Sequence, residues 1–280
     1  MINFLHTFQP NPIMFSIGPV HIYWYGFFIV LGIVAAISAS LKLAKYYGIK
    51  TDHILDLSFW LVIAGIAGAR IFHILIEWQY YLSQPSEIFN FRQGGLAIHG
   101  AIIFGLAALY IFTKKRKINF WILSGLLVPG LALAQSFGRW GNYFNQELFG
   151  KPTSLPWGIP IKIMNRPFEY MNFNYFHPAF LYESLGDLII FIILIAWHVI
   201  ILKKKSPGKL FSSAGKKIVL SYLVLYSFLR FMTEFIRVDP AYVFAGLRHA
   251  QITSLLIIAA AGACLLYGLR KTEVKIKPAP

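Results

Sequence analysis

Apolar and polar positions alternate along this chain in long blocks rather than residue by residue. A block of about 20 mainly apolar residues crosses the hydrocarbon core of a bilayer as an α-helix. As soluble core helices, blocks of this kind would leave large apolar areas exposed. The pattern therefore predicts seven membrane spans, at about 23–41, 56–76, 96–113, 120–138, 180–202, 218–236 and 250–269.

Composition supports the same class of protein. The chain has 280 residues, of which 57% are hydrophobic and only 13% charged, and its mean hydropathy is +0.60. These values lie outside the usual range of soluble domains. We expect an all-α integral membrane protein that forms a single membrane domain over 1–280.

The net charge of +15 is distributed by loop, and this distribution predicts the topology. Most lysine and arginine residues follow spans 1, 3, 5 and 7, whereas the N-terminal segment 1–22 has none. The positive-inside rule then places the N-terminus outside and the C-terminus in the cytoplasm, which an odd number of spans requires. A charge arranged in this way predicts no nucleic-acid partner. The long segment 139–179 falls outside, where its turn residues and short alternation predict a small lobe or hairpin.

Ionisable residues inside the predicted spans are few and share one depth. Each would cost roughly 2.5–3.5 kcal/mol at mid-bilayer, so each calls for a functional hypothesis. Guanidinium groups match phosphate oxygens bidentately, which predicts an anion site at headgroup level. The alternative is that the arginines pair with carboxylates between helices or extend to the interface. The predicted topology places in the outer half Arg70, His73, His99, Arg139, Glu183, Asp187, Arg230 and Glu234.

Two segments concentrate polar side chains. In span 6 a single helical face carries Tyr226, Arg230, Glu234 and Arg237. The segment Gly138–Gly150, GRWGNYFNQELFG, directly follows the predicted span 4. If that helix continues for two more turns, one face would carry Arg139, Asn142, Tyr143 and Gln146.

Histidines offer a possible base but no complete metal site. His99 lies at the mouth of span 3 in the segment QGGLAIHG, Gln93–Gly100, where it could act in a site or simply pack. His73 and Glu77 form an i, i+4 pair without a third ligand at suitable spacing. We predict neither a metal nor a cofactor.

Six stretches together make the sequence recognisable. They are HIYWYGFFIVLG, GARI, GGLAIHG, GRWGNYFNQELFG, HPAFLYE and RFMTEFIR. Over nearly its full length the chain resembles the bacterial prolipoprotein diacylglyceryl transferase family. The family pattern Gly-Arg-x-Gly-Asn-x-x-Asn-x-Glu-x-x-Gly is matched at each fixed position between Gly138 and Gly150, hereafter the signature segment.

The resemblance implies an enzyme of the bacterial cytoplasmic (inner) membrane, with several spans and an active site facing the outer leaflet. Such an enzyme transfers the diacylglyceryl group of phosphatidylglycerol to the thiol of the lipobox cysteine in a prolipoprotein signal peptide. It releases glycerol phosphate in the first step of lipoprotein maturation. The implied partners are phosphatidylglycerol, the prolipoprotein and membrane lipid.

The resemblance also implies roles for particular residues. The implied catalytic residues are His99, Arg139 and Arg230. The implied contacts to phosphatidylglycerol are Arg139, Asn142, Tyr25, Arg230, Glu234 and Arg237. To these contacts we add Arg70, from the layer of arginines in the outer half, and Glu147 and Gly150, from the signature segment. Many members have an aspartate where this chain has Gly125, so any role of that aspartate is not transferred.

A proton-coupled secondary transporter is the main alternative, because intramembrane carboxylates and histidines could relay protons. The predicted clustering of polar groups in one half of the membrane and the lack of a visible inverted repeat disfavour it. A retinal-type receptor would need a lysine in span 7, and a rhomboid-like protease a GxSG motif. The sequence contains neither feature.

Overall fold

The computed structural model describes residues 2–91, 94–203 and 209–273, and within these ranges the chain is mainly helical. Gln93 and parts of two predicted cytoplasmic basic segments, 204–208 and 274–280, lie outside the described residues. The α-helices are α1 (Ile2–Thr7), α2 (Trp24–Tyr46), α3 (Thr51–Ile76), α4 (Trp78–Ser83), α5 (Ile98–Arg116), α6 (Phe120–Asn145), α7 (Ala179–Lys203), α8 (Lys209–Thr233) and α9 (His249–Glu273).

Six of these helices, α2, α3, α5, α6, α7 and α9, are long and apolar enough to cross a membrane. This result confirms the predicted class, a helical membrane protein. The predicted sixth span corresponds to α8, which is not among the six. Lys216 and Lys217 near its start and Arg230 near its end make α8 more polar than the other long helices. A total of seven spans therefore stays a prediction.

Helix α6 is the central element of the fold. It packs against α2, α7 and α8 and more lightly against α5. Half of its most apolar stretch is buried, compared with at most 28% in the other five candidate spans. The surrounding helices expose mainly apolar side chains such as Val30, Phe59 and Ile103, as lipid-facing surfaces do. Side chains at the end of α6 therefore lie where several helices meet.

Short antiparallel strand pairs lie between the helices. Strands β1 (Ile13–Ile17) and β2 (Val20–Tyr23) lead into α2, and β5 (Val243–Phe244) and β6 (Leu247–Arg248) lead into α9. Within the segment 139–179, β3 (Ile159–Pro160) pairs with β4 (Tyr175–Phe176), so this segment does contain a strand pair. Its interior is a buried cluster that includes Phe149, Ile159, Ile161 and Phe176.

Candidate active site

The carboxylate of Glu183 forms ion pairs with three arginines. Glu183 is buried on α7, and its Oε2 lies 2.8 Å from Nη1 of Arg139 on α6. Its Oε1 lies 3.2 Å from Nη1 of Arg230 on α8 and 3.1 Å from Nη1 of Arg237 just beyond α8. Because these residues come from different elements, the packing of α6, α7 and α8 brings them together.

Glu234 is a second shared carboxylate. Its Oε2 lies 2.7 Å from Nη2 of Arg230, one helical turn away, and its Oε1 lies 2.9 Å from Nε of Arg248. Both cations therefore neutralise one buried anion. Arg230 in turn is divided between Glu183 and Glu234, which fixes the plane of its guanidinium group.

Asp239 closes the network on the loop that follows α8. Its Oδ1 lies 2.7 Å from Nε of Arg237, and its Oδ2 lies 3.3 Å from Nη2 of Arg248. Burial by itself would raise the pKa of Asp239. The hydrogen bond from Arg237 and the charges of Arg237 and Arg248 outweigh that effect and hold the pKa below its usual value.

We call this assembly the arginine cluster: Arg139, Arg230, Arg237 and Arg248, with Glu183, Asp187, Glu234 and Asp239. Three of its arginines are partly exposed. The side chains of Arg139, Arg230 and Arg248 are 18%, 22% and 16% exposed, whereas that of Arg237 is only 4% exposed. All three guanidinium nitrogens of Arg248 contact protein groups, so Arg139 and Arg230 are the two suited to meet a ligand. Beyond Glu183 and Asp187, Arg139 has no ion-pair or hydrogen-bond partner in the described part of the chain.

Asp187 differs from the other carboxylates of the arginine cluster. It is fully buried one turn after Glu183 on α7, and its nearest cation is Nε of Arg139 at 3.9 Å from Oδ2. Neither of its oxygens has a hydrogen-bond partner among the described residues, which is also true of the two oxygens of Glu234, but those have cations at 2.7 and 2.9 Å. Glu183 and not Asp187 therefore orients Arg139.

The signature segment continues α6 and then turns sharply. The helix extends beyond the predicted end at 138 to Asn145, as the proposed extra turns require. Gln146 lies outside it, because Gln146 and Leu148 adopt left-handed φ angles of 54° and 55°. The prediction that Gln146 shares the face of Arg139 is thus wrong. Gln146 instead donates to the carbonyl of Pro10 and accepts from the amide of Lys162.

Asn142, Glu147 and Tyr25 lie together near the end of α6. Asn142 is buried, and its Nδ2 donates to Oε1 of Glu147 at 2.8 Å. The Tyr25 ring packs onto Gly141, where a Cβ would lie only 2.6 Å from its Cδ2. Tyr25 is also near enough to Arg139 and Glu147 to interact with their charges. These predicted headgroup contacts therefore do lie together.

Gly150 joins the signature segment to the loop that follows α8. It forms an antiparallel bridge with Arg237, and a Cβ at Gly150 would lie 2.7 Å from Cβ of His177. The next amide, that of Lys151, donates to the carbonyl of Ile236 at 2.7 Å. Gly150 thus permits the close backbone approach that positions Arg237.

Arg70 belongs to a different network. It is buried near the end of α3, and its five N–H groups donate to five backbone carbonyls, those of Glu87, Ile88, Asn90, Gly94 and Gly95. The rings of Tyr81 and Phe91 each lie 5.2 Å from its guanidinium carbon. A polar cavity of about 160 Å³ adjoins it. The predicted contact of Arg70 with a lipid headgroup stays untested, and its donors are already occupied.

His99 stands apart from the arginine cluster. It is exposed in the first turn of α5, a helix that packs mainly against α3, and its ring centroid lies 6.0 Å from that of Phe72. Within the described ranges no hydrogen bond or ion pair joins His99 to the arginine cluster. Its predicted role as a base is therefore not tested by these contacts.

Sequence reasoning did not identify Arg248 and Asp239 as members of the site. Both lie in the segment 237–249, between the predicted spans 6 and 7. The available signal was an arginine and an aspartate in a short segment beside Arg237. Gly125, by contrast, has a clear structural setting. A Cβ there would lie 2.7 Å from Cα of Gly215 on α8, so this packing leaves no room for an aspartate side chain.

Comparison with known proteins identifies the family. Residues 12–267 match the sequence profile of a family described as prolipoprotein diacylglyceryl transferase. A phosphatidylglycerol–prolipoprotein diacylglyceryl transferase from Synechococcus elongatus is 43% identical over 266 residues, which cover 94% of this chain and 90% of the relative.

Two further relatives carry the same name. The protein from Nostoc sp. is 42% identical over 277 residues, covering 99% of this chain and 94% of the relative. The protein from Finegoldia magna is 38% identical over 263 residues, covering 94% of this chain and 97% of the relative. The resemblance found in the signature segment thus extends along nearly the whole sequence, and the chain belongs to the prolipoprotein diacylglyceryl transferase family.

Proposed function

We propose that this protein transfers the diacylglyceryl group of phosphatidylglycerol to the lipobox cysteine thiol of prolipoproteins and releases glycerol phosphate. The names of its relatives specify this donor and this acceptor. The observation that carries the proposal is the pair of partly exposed arginines, Arg139 and Arg230, that share the buried carboxylate of Glu183. Such a pair can bind one phosphodiester. A proton-coupled transporter, the alternative, has no support from the family.

The proposed topology places this pair at the outer leaflet of the bacterial inner membrane. In it the single membrane domain 1–280 has seven spans, with α8 as the sixth, an outer N-terminus and a cytoplasmic C-terminus. The loop distribution of lysine and arginine supports this orientation. The segment 139–179 then forms the outer lobe. The arginine cluster lies at the ends of α6 and α8 and the start of α7, which share one side in this topology.

The reaction is a displacement at the glyceryl carbon that carries the phosphate ester. The cysteine sulfur forms a thioether bond to that carbon while the bond from carbon to phosphate oxygen breaks. The leaving glycerol phosphate takes the electron pair, and the thiol proton goes to a base. Fixed cations in a water-poor site stabilise the charge that develops on the leaving phosphate.

Arg139 and Arg230 provide these cations. Glu183 pairs with both guanidinium groups and keeps them oriented. The phosphate then binds at their exposed side without having to arrange them, which lowers the entropic cost of reaching the reactive geometry. Arg237 and Glu234 are buried and act by holding this arrangement.

The remaining predicted contacts have separate roles in the proposal. Asn142, Glu147 and Tyr25 offer amide, carboxylate and phenol groups that can orient the hydroxyl groups of the glycerol headgroup. Gly150 acts through the backbone.

His99 acts either as the base for the thiol or as a headgroup ligand. A base in the reaction would give a pH–rate profile that changes in the His99→Gln variant. An unchanged profile would argue for the ligand role.

The decisive experiment is a transfer assay with purified protein, phosphatidylglycerol and a lipobox peptide. Mass spectrometry should find a diacylglyceryl thioether on the peptide with cysteine, and no product on the matched peptide with serine. A second arm replaces phosphatidylglycerol with phosphatidylcholine, which should give little product. Folded protein that lipidates neither peptide would overturn the proposal.

A further inference from the structure

Arg248 contacts several members of the arginine cluster. It ends β6, directly before α9. Its Nε pairs with Glu234 at 2.9 Å, and its Nη1 donates to the carbonyl of Arg237 at 2.6 Å. Its Nη2 donates to the carbonyl of Asp239 and lies 3.3 Å from the carboxylate of the same residue. All three nitrogens of its guanidinium group are therefore engaged.

These contacts connect the β5–β6 hairpin to two parts of the arginine cluster, the carboxylate of Glu234 and the turn from Arg237 to Asp239. One edge of Arg248 balances Glu234, the buried carboxylate that also holds Arg230. The other edge fixes the turn from Arg237 to Asp239, from which Arg237 reaches Glu183. Removal of Arg248 would leave Glu234 with Arg230 as its only ion-pair partner among the described residues. Because an incompletely paired buried charge is costly, Glu234 would then draw Arg230 away from Glu183.

We propose that Arg248 is a positioning residue for diacylglyceryl transfer, which holds Glu234 and the turn bearing Arg237 so that Arg230 faces the lipid phosphate. The inference rests on the proposed function. It also predicts that lysine cannot replace Arg248, because one ammonium group cannot reach Glu234 and two carbonyls in different directions.

Arg166 provides a matched control. It too holds a loop through carbonyls, with Nε donating to Ile161 and Nη1 to Met171, each at 2.8 Å. In the described part of the chain it has no carboxylate partner, and it does not contact the arginine cluster. Arg166→Ala therefore removes comparable loop contacts without disturbing Glu234.

The experiment compares the wild type with four variants, Arg248→Ala, Arg248→Lys, Arg248→Gln and Arg166→Ala. For each protein it measures the KM for phosphatidylglycerol, the kcat of transfer and the melting temperature in detergent. All three Arg248 variants should raise KM by about tenfold to a hundredfold, the effect expected when a group near the chemistry is misplaced. Added guanidinium ion should partly restore the KM of Arg248→Ala. Arg166→Ala should lower the melting temperature but leave KM unchanged.

Each outcome separates the two proposals. Wild-type protein without transfer activity contradicts the proposed function. Active wild type whose Arg248 variants match Arg166→Ala in KM overturns the positioning role alone, as does a fully active Arg248→Lys. If Arg248→Ala does not fold, Arg248→Gln decides, because it removes the charge but keeps a polar side chain that can still form hydrogen bonds.

Discussion

Arg70 and Arg139 both stand near the ends of long apolar helices, yet their guanidinium groups meet different partners. Arg70 donates all five of its N–H groups to neutral carbonyls and lies between two aromatic rings. Arg139 meets carboxylates on one side and keeps part of its surface exposed on the other. Because all donors of Arg70 bind loop carbonyls, Arg70 holds that loop in place. The partly exposed ion pair of Arg139 leaves donors for an anionic ligand.

The difference shows that depth in the membrane does not define a binding residue. Both arginines are expected at one level of the bilayer, and both avoid the cost of a buried charge. They do so by different means. Carbonyl dipoles stabilise Arg70 and occupy all five of its donors. Glu183 pairs with Arg139 and Arg230, and in the proposed function the phosphate binds to these two.

The largest expected effect is on catalysis. Arg139→Ala and Arg230→Ala should each lower the transfer rate by about 10²–10³-fold, the usual cost of removing a donor that stabilises developing charge. Lysine at either position should restore little, because it lacks the planar fork. The measurement is the transfer assay on variants that elute as folded protein. Arg116→Ala, which removes an exposed pair with Asp56, is the control and should stay active. Near-normal transfer by both alanine variants would contradict the phosphate role.

A second effect separates the two carboxylates of α7. Glu183→Gln should lower the free energy of unfolding by about 3 kcal/mol, because three guanidinium groups lose their shared anion. Asp187→Asn should change it by less than about 1 kcal/mol, since Asp187 forms no hydrogen bond in the described structure. Thermal unfolding in detergent measures both. Equal losses in the two variants would show that Asp187 also orients Arg139.

The next effect tests Arg70 directly. Arg70→Ala should lower the free energy of unfolding by about 2 kcal/mol through lost hydrogen bonds to carbonyls. The folded fraction should keep its KM for phosphatidylglycerol. The measurements are the melting temperature and the KM of that fraction. A raised KM at an unchanged melting temperature would instead restore Arg70 as a headgroup ligand.

The smallest effect is on pH dependence. Because the folded-state pKa of Asp239 is lowered, its pairing with Arg237 stabilises the protein at neutral pH. This contribution, about 1 kcal/mol for a partly exposed ion pair, is lost as the pH falls through the lowered pKa, below about 4. At pH 7 the melting temperature of the wild type should be higher than that of Asp239→Asn, and this difference should disappear at acid pH. A gap independent of pH would exclude this linkage.

The sequence predicted much of the fold because the signals were local. Blocks of apolar residues located the long helices, and polar residues at the ends of spans 4 and 6 predicted Arg139, Arg230 and Glu234 as one group, which the structure does bring together. The end of α6 was placed too early, because the signature segment is polar yet still helical. Hydropathy marks where a helix leaves the apolar core, and helix formation can continue beyond that point.

Partner choice could not be predicted in the same way. Arg248 and Asp239 lie in a short loop with no periodic pattern, and they reach the site because the β5–β6 pair turns that loop back beside α8. The contacts of Arg70 equally depend on tertiary placement, here that of its five carbonyl partners. Neither arrangement leaves a spacing rule in the sequence.

The membrane class and the position of most long helices follow from the sequence alone, because the transfer free energies of side chains from water to lipid add up residue by residue along the chain; the family follows from motifs that are equally local. Which arginines have all their donors occupied, and which stay partly exposed, depends on the tertiary packing. Ion pairing and hydrogen bonding depend on the rotation of each helix about its axis and on angles and distances of a few ångströms. Those quantities are set by packing between segments far apart in the chain.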